Sequence, residues 1–266
     1  MLTRRLDEAR EAWKKKDADA ARKAHDPAHA QISAEEKHTT GSGKYIKSVI
    51  YGGLDGTITT FAAVAGVAGA SLSAGVVLIM GLANLLADGL SMSIGDYLSS
   101  KSESEYEAAE RAREAWEVKN YPEGEKRELQ EIYVARGMSV QDAHDVVEII
   151  AKDREAWVDT MMIEELGIIP NDESPIKNAI ATFLSFGFFG FLPIAIYVVG
   201  LFVPAIAPYR FLLACVITGG TLFSLGALKT IITGKSWLVS GLETLLVGGV
   251  AAVAAYTVGA LLGGLV

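Results

Sequence analysis

Between Met80 and Ser100 the chain is apolar enough to lie in a membrane, yet Asn84, Asp88, Met92 and Asp96 recur there at every fourth position. That combination restricts the possible folds more than any other feature. Residues four apart on an α-helix sit on neighbouring turns of nearly the same face, drifting by roughly 40° per step. The four therefore form a slanted stripe. An ionisable group inside a span costs roughly 2.5–3.5 kcal/mol on insertion scales, and such groups line polar paths or sites. Three acceptor-bearing side chains and a thioether on one face predict a path for a cation. The competing expectation is structural, with Asp96 placed in the interface and Asn84 bridging helices.

The composition agrees with a membrane protein. Half of the 266 residues are hydrophobic, 27 are glycine, and the mean hydropathy is +0.29. The apolar residues come in long blocks rather than alternating stripes. Cys215, the single cysteine, lies in such a block, which excludes a disulfide framework and a cysteine metal centre. The N-terminal MLTRRLDEAREAWKKK lacks the apolar segment of a cleavable signal peptide, so targeting is expected from the first span. The net charge of −8 is unevenly placed: residues 100–173 hold 20 acidic against 9 basic residues, a local balance of −11. Such a region repels nucleic acid and attracts cations.

Residues 1–43 read as a charged, partly helical cytoplasmic tail. Leu6, Ala9 and Trp13 give a weak stripe that Pro27 and then TTGSG at 39–43 break. Pro27 also keeps His25 and His29 from pairing cleanly on one helix face, and with His38 they read as solvent-exposed rather than as metal ligands. Lys14–Lys16 read as a solvated face.

Residues 44–100 hold the first two spans. The first, at about 48–70, carries the small-residue pairs Gly52/Gly56 and Gly66/Ala70, which allow close helix approach, and Asp55 about two turns in. The second begins near Val76 and continues through KSESEYEAAERAREAWEVKN to about Asn120 as one long helix. Residues 101–173 form an acidic helical domain inserted between spans two and three. Tyr121–Gly124 punctuate it, helices follow at 125–136, 140–151 and 153–166, Gly137 ends the first of these, and Ser139 caps the second. Residues 174–266 supply spans at about 177–202, 208–230 and 237–263, with Pro193 inside one and Gly259/Gly263 inside another. Spans three and four have no acid or base in their middle and read as scaffold. Glu243 in span five suits packing or an interface as well as function. Lys44, Lys47, Lys101, Lys177, Lys229 and Lys235 fall at span ends on one side and only Arg210 on the other, which puts the tail, the acidic domain and the 229–236 loop in the cytoplasm.

Within the acidic domain, Glu114/Glu117 and Glu125/Glu128 are E-x-x-E pairs, each on one helix face. Folded together at the Tyr121–Gly124 turn, four carboxylates converge into either a solvated surface or a metal site, since close carboxylates repel unless a cation sits among them. Met161, Met162, Glu164 and Glu165 offer thioether sulfur beside carboxylates, and soft sulfur shifts the preference towards Fe²⁺ and other first-row metals. Met161 and Met162 on an amphipathic helix equally suit core packing. Carboxylate with methionine recurs in the membrane at Asp55, Asp88 and Met92.

These segments together, GGLDGTITTFAAVAG, ANLLADGLSMSIGDYLSSKSE and AWVDTMMIEELG, resemble the vacuolar iron transporter family over residues 44–265. The resemblance implies an all-α integral membrane protein, a homodimer of protomers with five transmembrane helices and a cytoplasmic helical metal-binding domain between spans two and three. It implies export of cytosolic Fe²⁺ into a vacuole or out of the cell in exchange for protons, some members also carrying Mn²⁺, with Fe²⁺ as substrate and no organic cofactor. Asp55, Asp88 and Met92 match the family's membrane path, and Glu114, Glu117, Glu125, Glu128, Met161, Met162 and Glu165 its domain ligands. Asn84 departs from the pattern, since some relatives carry an acid there. The ligand set accepts Mn²⁺, Co²⁺ or Zn²⁺ as well, and a vacuolar-type or a plasma membrane satisfies the same topology. Two other readings compete. A di-iron oxidase would need Glu-x-x-His motifs, and His144, the domain's only histidine, has no glutamate three residues before it. A membrane-bound metal sensor has no need of carboxylates inside its spans.

Overall fold

The computed structural model describes residues 11–24, 45–170 and 173–265. Leu6, Ala9, His25, Pro27, His29, His38, the 39–43 break and Lys44 lie outside the described residues. The chain divides into two units, Met1–Ile46 and Lys47–Val266. In the first, a helical turn at 11–15 is followed by α1 (Ala18–Ala24), started by the Asp17 carboxylate, which accepts the backbone N–H groups of Asp19 and Ala20 at 3.0 Å each.

From Ile46 onwards every regular element among the described residues is helical: α2 (Ile46–Gly69), α3 (Ala74–Asn120), α4 (Pro122–Ala135), α5 (Val140–Ile150), α6 (Arg154–Glu164), α7 (Pro175–Phe202), a 3₁₀ segment Pro204–Tyr209, α8 (Arg210–Leu228), the short α9 (Thr230–Thr233) and α10 (Trp237–Leu262). Among the described residues, four stretches are long and apolar enough to cross a membrane: Ala74–Asn120, Pro175–Phe202, Pro204–Leu228 and Trp237–Leu265. Helix α2 is not among them, because Lys47, Asp55 and its glycines and threonines dilute its apolar content. At 24 residues it is still about 36 Å long.

Small residues bring α2 against its neighbours. A Cβ on Gly52 would lie 2.8 Å from the Thr182 carbonyl oxygen of α7, and one on Gly190 of α7 would lie 2.8 Å from the Gly56 oxygen. At the other end, a Cβ on Gly263 would lie 2.6 Å from the Ala70 Cα, and Gly259 is pressed onto the backbone of Gly66. Both small-residue motifs therefore mark helix crossings, where absence of a side chain lets backbones touch. Phe61 stacks on Phe211 of α8, and the two join Val64, Val77, Ile194, Tyr197 and Ala214 in the apolar core of the bundle. Pro193 is buried inside α7 without ending it.

Helix α3 runs unbroken for 47 residues from the apolar half into the acidic half. The acidic end, with α4, α5 and α6, closes around Val118, Leu129, Val147, Trp157, Val158, Met161 and Met162. Ser139 Oγ accepts the Asp142 N–H at 3.1 Å and starts α5, and Asp153 caps α6 through the N–H groups of Glu155 and Ala156. Gly137 ends the preceding turn at φ +102°, a conformation that glycine adopts without steric penalty. The expected start of α4 at Glu125 is corrected to Pro122. Proline at the first helical position loses no hydrogen bond and has a helix-ready φ, so it opens the helix where the sequence suggested a break. Arg111 paired with Asp159, and Arg154 on the Ala115 carbonyl, fasten α6 to α3.

Candidate metal path and carboxylate site

The stripe on α3 lies along the edge of its packed face. Gly81, Gly89 and Ser93 are buried against the bundle, while Asn84, Asp88, Met92 and Asp96 beside them are half-buried. Asp55 on α2 is half-buried too. The Thr59 hydroxyl donates to the Asp55 backbone carbonyl at 2.9 Å. Asn84 Nδ2 is buried and has no protein partner, so the helix-bridging expectation for Asn84 is not what the structure shows. Asp96 does bridge: its carboxylate accepts a hydrogen bond from Thr182 Oγ1 of α7 at 2.6 Å and lies 3.5 Å from Ser100 Oγ. Thr182 carried no signal in the sequence beyond being polar in an apolar helix.

The second cluster is in the acidic domain, where Glu114 of α3, Glu125 of α4 and Glu165 at the end of α6 bring one carboxylate oxygen each within 4.8 Å of one another. Oxygen-ligated divalent ions sit about 2.0–2.6 Å from each donor, so a modest closure would let one ion touch all three. Glu114 is fully buried, Glu125 nearly so, and Glu165 is exposed, which gives the cluster a closed floor and an open side. Burial, reinforced by the neighbouring carboxylates, pushes both Glu114 and Glu125 up to about 7, and Glu165 is raised by the same causes. Both Glu114 oxygens and Glu125 Oε2 are buried and accept no hydrogen bond of regular geometry, Glu114 Oε1 having only the Arg113 guanidinium nitrogen at 2.7 Å as an ion-pair contact. Buried carboxylates left this way are unstable as anions unless a cation joins them.

Glu117 and Glu128, the second members of the two E-x-x-E pairs, add their charge to this cluster but lie outside the trio. Glu117 is held by Arg113 at 2.6 Å. Met161 and Met162 are buried in the domain's apolar core, four and three residues before Glu165 and so on its side of the helix. Glu164 points elsewhere, paired with Arg136. Sequence spacing groups carboxylates on one helix; it is the return of α6 onto α3 that selects Glu165 as the third member.

The VIT family model matches residues 46–260. A vacuolar iron transporter of Toxoplasma gondii is 43% identical over 97% of this chain and 89% of its own length. One from Plasmodium falciparum is 34% identical over 98% of both chains, and vacuolar iron transporter 1 of Arabidopsis thaliana is 35% identical over 83% of this chain and 87% of its own. The match takes in α2 to α10 with both carboxylate clusters, and the chain belongs to the VIT family.

Proposed function

We propose that this protein is a transporter, not an enzyme, that moves Fe²⁺, with Mn²⁺ as an alternative cargo, out of the cytosol into a vacuole-type compartment or out of the cell in exchange for protons. The observation that carries the reading is a pair of half-buried carboxylates, Asp55 on α2 and Asp88 on α3, within an apolar helical bundle. The relatives' names give iron as the cargo. Asn84, Asp88 and Met92 with Asp55 form the path. Carboxylate oxygen and thioether sulfur suit Fe²⁺ and Mn²⁺, with Co²⁺ and Zn²⁺ as further candidates. A proton arriving from the far side neutralises a carboxylate and releases the ion it held.

The acidic domain captures the ion first, through Glu114, Glu125 and Glu165 with Glu117 and Glu128 contributing charge and Met161 and Met162 contributing sulfur at the inner wall. Helix α2 serves as a fifth span: it is long enough for a hydrocarbon core of about 30 Å and is packed against α7, α8 and α10. Lys47, Lys177, Lys229 and Lys235 stand at or beside helix ends, and Lys101 where α3 leaves its apolar half, which supports a cytoplasmic acidic domain. The stripe of α3 is only half-buried within one copy of the chain. A second copy covering that face would spare the stripe contact with lipid, and we assign the homodimer on that ground.

The test is Fe²⁺ uptake into proteoliposomes by wild type and Asp55→Ala, with metal binding measured on the same samples. Loss of flux with binding retained supports the path; flux at the wild-type rate in Asp55→Ala refutes it.

A further inference from the structure

The carboxylate site already holds a cation belonging to the chain. Arg113, on α3 beside Glu114, brings Nη2 to 2.7 Å from Glu114 Oε1, donates from Nη1 to Glu117 Oε2 at 2.6 Å and from Nε to Glu110 Oε2 at 2.9 Å. Its charge also acts on Glu165. Three other arginines of this domain face away from the trio: Arg111 pairs with Asp159, Arg136 with Glu164, and Arg154 bonds the Ala115 carbonyl. Glu114 is fully enclosed, whereas the Arg113 side chain is 42% exposed, so the guanidinium approaches the site from the solvent side and has room to leave.

A divalent ion ligated by Glu114 Oε1 would lie about 2.1 Å from that oxygen. The same oxygen has the guanidinium at 2.7 Å. Two cations on one carboxylate oxygen repel strongly at such a separation, most of all beside a buried group where water screens little. The exposed pairs of Arg113 with Glu110 and Glu117, three and four residues away on the same helix, contribute only a few tenths of a kcal/mol each to the fold. Its position instead bears on what the carboxylates bind.

We propose that Arg113 is a built-in competitor for the cargo ion, which must swing away from Glu114 before a divalent cation takes that carboxylate, and which returns as the ion leaves. This rests on the proposed capture role of the acidic domain. The exchange keeps the buried carboxylates neutralised at every stage. It also holds the affinity below what the bare trio would reach, as a site that hands its ion on requires.

The experiment is calorimetric titration of the full-length protein in detergent with Mn²⁺, for wild type, Arg113→Gln, Arg113→Ala, Arg113→Lys, Arg111→Gln and Glu114→Gln. Arg113→Gln binds Mn²⁺ about tenfold more tightly, an effect of the size expected for removing one nearby charge. Arg113→Lys, which keeps the charge, stays within about threefold of wild type, and Arg111→Gln is unchanged. Arg113→Ala repeats the measurement on a strong helix former, and the rise in melting temperature on adding Mn²⁺ is larger for both neutral variants than for wild type. Unchanged or weaker binding in Arg113→Gln and Arg113→Ala, with binding lost in Glu114→Gln, overturns the competitor role and leaves the carboxylate site standing. Mn²⁺ binding that survives Glu114→Gln unaltered, or that wild type lacks, overturns the capture reading and this inference with it.

Discussion

Glu114 and Glu125 should make metal capture depend steeply on pH just below neutrality. Both carboxyls are pushed up to about 7 by burial first and by neighbouring carboxylates second, and both must be ionised to ligate a cation. With two such groups, the doubly ionised fraction is about 1 in 120 at pH 6, about 1 in 4 at pH 7 and about 0.8 at pH 8. The Mn²⁺ dissociation constant therefore weakens about 30-fold from pH 7 to pH 6 but improves only about threefold from pH 7 to pH 8. Proton release accompanies it, about 1.8 per ion bound at pH 6, about 1 at pH 7 and about 0.2 at pH 8. Calorimetric titration in two buffers of different ionisation heat counts these protons directly. Glu125→Gln removes one titrating group, and the change between pH 7 and pH 6 falls to about fivefold. An affinity constant within twofold across the whole range, with no proton release at pH 6, would refute the reasoning.

The same groups set the stability of the metal-free protein. Their carboxyls lie above the ordinary value of 4.5 in the fold, so the native state binds more protons than the unfolded chain in that window. Stability is highest below about pH 4.5 on this account and falls as pH rises towards 7, and thermal melts with and without Mn²⁺ should show the metal reversing that fall. Gly259→Leu drives a side chain into the Gly66 backbone at the α2–α10 crossing and should destabilise by about 3 kcal/mol or more, whereas Gly249→Ala, with open space around it, should leave the melting temperature in detergent nearly unchanged. Leu129→Ala empties a fully buried position in the acidic domain; a loss of about 2–5 kcal/mol is expected in denaturant unfolding.

Much of this architecture can be read from local chemistry. The strong helix formers after Ser100 announce that α3 continues out of its apolar half, and the structure shows it unbroken to Asn120. Gly52/Gly56 and Gly259/Gly263 point to close crossings, because small residues four apart have few other uses in apolar helices. Ser139 and Gly137 mark the ends of helices through capping and a positive φ. What stays hidden depends on contacts far apart in the chain. Nothing near Asp96 foretells Thr182, 86 residues away. The E-x-x-E spacing favours Glu117 and Glu128 equally with Glu114 and Glu125, and only the packing of α6 on α3 separates them. Arg113 has a local signal that was available, a base flanked by glutamates at positions three before and four after it. It reads as one more exposed helix ion pair until the burial of Glu114 is known.

The central claim is proton-coupled movement of Fe²⁺ along Asp55 and Asp88. The most direct measurement is Fe²⁺ uptake into proteoliposomes with and without an acidic interior, for wild type and Asp55→Ala. The account predicts uptake by wild type that the acid interior drives and that Asp55→Ala abolishes. Metal binding with no flux under either condition would contradict it, leaving an acidic domain that senses ions above an inert bundle.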